Sequence, residues 1–363
     1  MKGLILSGGA GTRLRPITHT SAKQLVPIAN KPILFYGIES MAAAGITDIG
    51  IVVGDTQHEI MAAVKDGSQF GVRVTYIPQD APLGLAHCVK IARDFLGDDD
   101  FVMYLGDNML EQGLSQFVER FEAERSSSLW SNTPAVAQIL LKEVPNPSAF
   151  GVAAVDEQGR VVRLVEKPKD PPSSFALVGV YLFTARIHDA VAAIAPSARG
   201  ELEITDAIQW LIDQGETVRH EVLQGWWIDT GKKDPLLECN RIVLDTLEAR
   251  IAGKVDADSS VEGRVVIEEG AALINSRVRG PAIIGVGARV VNSYIGPYSS
   301  IASGCEIVDS DLDHSVVLER SRIVGVTRLT DSLIGRDVEV LRSQARPAAT
   351  RMMLGDDSRV ELE

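Results

Sequence analysis

Cysteine is scarce in this chain. Cys88, Cys239 and Cys305 are odd in number and far apart, which excludes a disulfide framework and fits a reducing, cytoplasmic setting. Aromatic residues are few, at 5% of 363 residues, whereas glycine, with 32, points to tight turns or repeats. No apolar run approaches the roughly 18 residues a membrane-crossing helix needs. The run Leu4-Ile5-Leu6 behind Lys2 is too short for a signal peptide. Positive charge is in deficit: 36 Lys and Arg against 49 Asp and Glu leave a net charge of −13. That balance argues against nucleic acid or an anionic membrane as partner, while leaving room for a local basic pocket. What remains, 45% hydrophobic and 23% charged, is ordinary globular composition. The length exceeds what one compact core usually holds and predicts two domains.

Up to about residue 240, short apolar runs alternate with helical patterns, the signature of an α/β domain with a largely parallel sheet. Strands are expected at Gly3–Ser7, Ile49–Val53, Val72–Ile77 and Phe101–Leu105. Later, hairpin-like strands of mixed direction are expected at Val136–Leu141, Gly151–Val155, Arg160–Leu164 and Leu177–Phe183. Helices are expected at Ile33–Ala44 (opened by Pro32), Glu59–Lys65, Ala86–Phe95, Ala185–Ala195 and Ile204–Gln214. A further helix over Arg241–Arg250 should close the domain.

After Ile251 the helical period gives way to a repeat: Asn275-Ser276, Asn292-Ser293, Asp309-Ser310 and Asp331-Ser332, the first three copies 17 residues apart. Between them run hexapeptides such as Ile295-Gly296-Pro297-Tyr298-Ser299-Ser300 and Ile301-Ala302-Ser303-Gly304-Cys305-Glu306. An aliphatic residue at every sixth position, followed by small residues, suits a parallel β-helix whose strands point the aliphatic inward. The pattern resembles the left-handed β-helix, in which three hexapeptides make a coil of about eighteen residues. The alternative is a β-sandwich with turn-rich loops. The expected divisions are 1–240, a linking helix 241–252, the β-helix 253–345 and a tail 346–363.

The chemistry is concentrated near the start. Leu4-Ile5-Leu6-Ser7-Gly8-Gly9-Ala10-Gly11-Thr12-Arg13-Leu14-Arg15-Pro16 runs from a strand into a glycine-rich loop with two arginines. Glycines let backbone N–H groups crowd around phosphate oxygens, and arginine offers a matching fork. It is neither of two familiar phosphate loops: Leu14 stands where a dinucleotide fingerprint needs glycine, and no Lys-Ser or Lys-Thr follows Gly8 or Gly11.

With Lys23-Gln24-Leu25-Val26-Pro27 following, this string resembles the sugar-1-phosphate nucleotidyltransferases, and within them the thymidylyl-transferring branch. The likeness continues at Gly84-Leu85-Ala86, Leu105-Gly106-Asp107-Asn108, Gly151-Val152, Glu166-Lys167-Pro168, Val178-Gly179-Val180-Tyr181, Arg199 to Asp206 and Trp227 to Gly231. It covers residues 1–245, and the repeats resemble the tail of the family's long forms. The commonest thymidylyl form has Pro-Asp-Gly-Leu-Ala where this chain reads Pro82-Leu83-Gly84-Leu85-Ala86.

The resemblance implies a Rossmann-like (GT-A-like) mixed sheet followed by a left-handed β-helix. It implies transfer of a thymidylyl group from dTTP to α-D-glucose 1-phosphate, giving dTDP-glucose and pyrophosphate, with Mg²⁺ and a homo-oligomeric enzyme. Leu6, Gly8, Gly9, Gly11, Thr12, Arg13 and Gln24 would hold the nucleotide, and Lys23 the pyrophosphate side. Gln79 and Gly84 would meet the pyrimidine edge. Asp107, at the carboxyl end of a strand where α/β ligands bind, would share Mg²⁺ with Asp229, since a hard cation takes carboxylate oxygens, phosphate and water. Asn108, Gly151, Glu166 and Val178 match sugar-lining positions, and Lys167 and Arg199 those that hold its phosphate.

Two other readings stay open: a uridylyl- or adenylyltransferase acting on a hexosamine phosphate, and a non-catalytic regulatory subunit. The six histidines (His19, His58, His87, His188, His220 and His314) are scattered and propose no zinc set. Trp227 reads as packing near the site.

Overall fold

The computed structural model describes residues 1–9, 11–19, 21–126, 134–342 and 352–361. Ala10 of the glycine-rich loop, residues 343–345 of the expected β-helix, and residues 346–351, 362 and 363 of the expected tail lie outside the described residues. The chain divides into two compact units. One comprises Met1–Ala10 and Ile33–Ile228, the other Gly11–Pro32 and Asp229–Glu363.

The first unit is built on a nine-stranded sheet. Its path runs Val161–Glu166, Gly151–Val155, Phe175–Phe183, Phe101–Leu105, Lys2–Ser7, Asp48–Val53 and Arg73–Pro78. Ala137–Glu143 branches from Phe175–Phe183 and carries Val218–Val222 at its free edge. Lys2–Ser7 pairs parallel with both neighbours, whereas Phe175–Phe183 is antiparallel to Phe101–Leu105, so the sheet is mixed, as the sequence led one to expect. Strands covered on both faces read as unbroken apolar runs, and Leu4, Ile5, Phe101, Val102 and Met103 are all 0% exposed. Helix Ile204–Asp213 buries Ile204, Ala207, Ile208 and Leu211, a stripe of helical period.

Register then positions the chemistry. Leu6 pairs with Leu105 and Ser7 with Val53, so Gly8, Gly54 and Gly106-Asp107 leave the sheet at the carboxyl ends of adjacent parallel strands. The Gly106 N–H donates to the Leu6 carbonyl at 3.0 Å.

Four local outcomes differ from the sequence reading. Helix Ala86–Phe95 is two helices, Leu85–Ile91 and Arg93–Leu96, parted at Ala92. Ser115–Ser126 and Val218–Val222 are an unexpected helix and strand. The closing helix is Lys233–Leu244 instead of Arg241–Arg250. Pro235 sits in its first turn, where a missing N–H loses no helical hydrogen bond, and Arg250–Ile251 is already a strand.

In the second unit every strand pair from Arg250–Ile251 onward is parallel, which excludes a sandwich. Three sheets share the rungs in turn, the arrangement of a left-handed parallel β-helix. Most successive rungs are 17 residues apart, Val265 lying beside Ala282 and Ala282 beside Ser299, with a step of 18 at Lys254 to Ala272 and of 16 at Arg250 to Val266, Ser300 to Val316 and Glu306 to Arg322. Val278, Ile295, Ile284, Ile301, Val290 and Ile307 point inward at 0% exposure.

The Asn/Asp-Ser repeats divide the labour of a corner. Asn275, Asn292 and Asp309 take φ of 44°, 48° and 48°, a left-handed conformation these side chains tolerate better than most. The buried serines behind them form a ladder: Ser276 Oγ accepts from Ser293 N–H and Ser293 Oγ from Ser310 N–H, each at 3.1 Å. Backbone donors at the corners are thereby satisfied without water.

The same unit holds the segment Gly11–Pro32. Pro27–Ile28 and Lys31–Pro32 form a hairpin whose turn residues, Ala29 and Asn30, have φ of 47° and 62°. Positive φ at both turn residues matches the twist of a tight hairpin. Asn30 Nδ2 donates to Ile301 O, and Ala29 N–H donates to Asn240 Oδ1, each at 2.8 Å. Ser21 Oγ accepts from Arg336 at 2.8 Å. No helix among the described residues is long and apolar enough to cross a membrane.

Candidate active site

The residues singled out in the sequence fall into clusters on each unit. On the first, strands Gly151–Val155 and Val161–Glu166 pair so that Gly151 faces Glu166. A methyl group on Gly151 would lie 2.8 Å from Thr205 Cγ2 and 3.1 Å from Glu166 Oε2, so a larger residue would push these side chains aside. Glu166 Oε1 lies 3.3 Å from Lys167 Nζ and 3.4 Å from Arg199. Arg199 also reaches Glu201 at 2.9 Å and Glu203 at 3.3 Å. Gly151, Glu166, Lys167 and Arg199 are therefore brought together. Burial, then the negative charge of Glu166, pushes the carboxyl of Asp206 upward; burial does the same to Glu203. Val178 is fully buried and contributes packing. Thr205, whose hydroxyl lies 3.5 Å from Glu166, was legible only as part of a motif.

The loop around Gly84 is clamped to the same region. Gly84 has φ of 104°, and a methyl group there would lie 2.4 Å from Leu202 O. Leu202 N–H donates to Leu83 O at 2.7 Å, and Ala86 N–H donates to Leu202 O at 3.0 Å. Gln79 follows strand Arg73–Pro78; a methyl group on Gly8 would lie 2.6 Å from its Oε1. Gly8 and Gln79 are thus adjacent. Gly9 is exposed, and the Leu6 side chain lies in the core.

Asp107 is buried, and its Oδ1 accepts from Asn108 Nδ2 at 3.2 Å. Asn108 Oδ1 accepts in turn from Trp227 Nε1 at 2.7 Å and from Gly179 N–H at 3.3 Å. A methyl group on Gly179 would lie 2.6 Å from that oxygen. The Asn108 amide is therefore held between Asp107 and Trp227, and it orients the carboxylate. Trp227 thus does more than pack, a role no local sequence pattern reveals.

On the second unit, Gly11 takes φ of 64°, and a methyl group there would lie 3.0 Å from Lys23 Cβ. Thr18 Oγ1 donates to Gly11 O at 2.6 Å and fixes the bend. Asp229 Oδ1 accepts from Gly231 N–H at 2.9 Å, and a methyl group on Gly231 would lie 3.0 Å from Arg13 Nη2. Gly11 and Lys23 are thus neighbours, and Arg13 and Asp229 both border Gly231. Thr12 and Arg13 are exposed; Gln24 is 1% exposed with Oε1 lacking a partner.

The donor chemistry fits a hard cation. Asp107, on the first unit, and Asp229, on the second, each offer carboxylate oxygens, and among the described residues no group of three or more His, Cys, Asp or Glu could hold a metal ion by itself. A cation that completes its shell with phosphate and water needs no more than this.

Compared with known proteins, residues 2–246 match the nucleotidyl transferase family, and the chain belongs to that family. A glucose-1-phosphate thymidylyltransferase from Streptomyces griseus is 57% identical over 362 residues, covering 100% of this chain and 99% of the relative. Another, from Streptomyces antibioticus, is 56% identical over 363 residues, covering 100% of both. A solved structure assigned as a glucose-1-phosphate thymidylyltransferase from Bacillus anthracis gives a TM-score of 0.62 at 34% identity, covering 69% of this chain and 98% of that one. The chain is a nucleotidyltransferase, and its likeness to the Streptomyces enzymes extends through the β-helix.

Proposed function

We propose that this protein transfers the thymidylyl group of dTTP to α-D-glucose 1-phosphate, giving dTDP-glucose and pyrophosphate. The observation that carries the reading is the full-length similarity to thymidylyltransferases. It is supported by the gathering of Gly151, Glu166, Lys167 and Arg199 on one face of the sheet. A phosphate oxygen of the sugar phosphate attacks the α-phosphorus of the nucleotide in line. The bond from that phosphorus to the bridging oxygen breaks, and pyrophosphate leaves with the electron pair.

Such a reaction asks for alignment and charge neutralisation more than for a covalent catalyst. Lys167 and Arg199 hold the attacking phosphate, and Glu166 accepts from sugar hydroxyls. Gln79 and Gly84 meet the base. Gly8, Gly9, Gly11 and Thr12 hold the phosphates through their backbone, as Leu6 does at its carboxyl end, with Gln24 beside them. Arg13 and Lys23 offset charge on the triphosphate. Asp107 and Asp229 would hold a divalent cation, Mg²⁺ in this reading, which supplies further charge neutralisation when bound.

Pyrophosphate release is the test, crossing dTTP, UTP, ATP and CTP with glucose 1-phosphate and N-acetylglucosamine 1-phosphate. Preference for dTTP with glucose 1-phosphate is expected. Comparable use of UTP would widen the assignment, and no release with any pair would overturn it.

A further inference from the structure

The Gln79 amide nitrogen is held by two side chains of the helix that follows it. Its Nε2 lies 3.2 Å from His87 Nδ1 and 3.3 Å from Cys88 Sγ, both on helix Leu85–Ile91. The Cys88 thiol, pushed up to about 12 by burial, stays protonated, and its proton is directed at Gly84 O, 3.6 Å away. The sulfur lone pairs and the His87 ring nitrogen are then both acceptors, and the amide nitrogen sits between them. Oε1 is the end left facing Gly8.

We infer that His87 sets the choice of nucleobase by locking the Gln79 amide with its oxygen outward. An outward oxygen accepts from the N3–H of thymine or uracil and opposes the bare N3 of cytosine. The inference rests on the reading of Gln79 as the base contact, and it makes His87 a positioning residue. The lock requires a neutral imidazole with its proton on Nε2, since imidazolium would turn an N–H toward the amide NH₂. The charged groups facing the ring are Lys90, on its own helix, and Asp80, on the preceding loop. Burial, then Lys90, hold the ring below its ordinary range, against Asp80, so it is neutral at pH 7.

The test measures dTTP and dCTP binding to the full chain by calorimetry between pH 5 and 8, without sugar phosphate, and pyrophosphate release in parallel. The wild type should prefer dTTP, less so at the acid end. His87→Ala should lower the preference about tenfold at pH 7.5, roughly one neutral hydrogen bond, with the loss carried by KM rather than kcat. His87→Asn, whose Oδ1 replaces Nδ1 as acceptor without titrating, should restore the preference and flatten its pH dependence. A His87→Ala protein with the wild-type ratio and pH profile would overturn the inference while leaving the reaction standing. A His87-dependent preference for dTTP in a protein that turns over no sugar phosphate would do the reverse.

Discussion

Replacing Asn240 by alanine probes how the Gly11–Pro32 segment is mounted. Asn240 is 1% exposed on helix Lys233–Leu244. Its Oδ1 accepts from Ala29 N–H and from the Ser300 hydroxyl, each at 2.8 Å, and its Nδ2 donates to Tyr298 O at 3.4 Å. Without the side chain, the N–H of Ala29, a residue 7% exposed, loses its acceptor, and the Ser300 hydroxyl loses its own at 0%. An unmet buried donor costs about 1–3 kcal/mol, with the rotatable hydroxyl at the lower end, so the sum is roughly 2–4 kcal/mol. For a unit of this size that lowers the thermal transition by about 5–15 °C. The assay is a thermal scan of the full chain for the wild type, Asn240→Ala, Ser300→Ala and the double variant. Ser300→Ala removes one of the two stranded donors, so the double variant should cost about 1 kcal/mol less than the sum of the singles. Because the hairpin follows Lys23-Gln24 directly, KM for dTTP should rise as well. A transition within about 2 °C of wild type, together with an unchanged KM, would refute the reasoning.

Asp107→Asn should lose about 100-fold or more in kcat with an unchanged melting transition, measured by pyrophosphate release and circular dichroism. Gly84→Ala forces a positive φ on alanine and a 2.4 Å approach to Leu202 O, so the nucleotide KM should rise and stability fall by about 2 kcal/mol or more, checked by kinetics and a urea titration. Ser293→Ala removes the acceptor of Ser310 N–H from the serine ladder. It should shift the urea midpoint by the equivalent of about 1–3 kcal/mol with little change in kcat.

The sheet strands were legible because each is a short apolar run bounded by turn chemistry, and Phe101–Leu105 and Gly151–Val155 match to the residue. The coil was legible because an Asn-Ser or Asp-Ser pair recurs at a fixed interval, at positive-φ corners that Asn and Asp tolerate better than most, although Tyr298, His314 and Arg320 hold other such corners. Ser115–Ser126 was hidden by its charge, since a helix with a mostly polar surface leaves little apolar period to read. Gly151, Glu166, Lys167 and Arg199 could be named from motifs, but their juxtaposition is a matter of register and long-range packing. Nothing local announces that Asn108 lies under Trp227 or that His87 meets Gln79. The same is true of the Gly11–Pro32 segment, whose partners Asn240 and Ile301 are far along the chain.

That last separation has a consequence for how the protein comes into being. The loop with Arg13 and Lys23 is made early, yet the carbonyl that receives Asn30 belongs to Ile301, and the arginine that receives Ser21 is Arg336. At about 5–20 residues per second, a ribosome needs roughly 15–60 seconds to travel from one to the other. Until then the nascent loop has only part of its seat, the Asn240 side chain that accepts from Ala29 N–H. A message cut short after residue 246 would encode all of the family match yet leave out the coils on which that loop rests. The late-made repeats thus complete the support of one of the earliest-made loops.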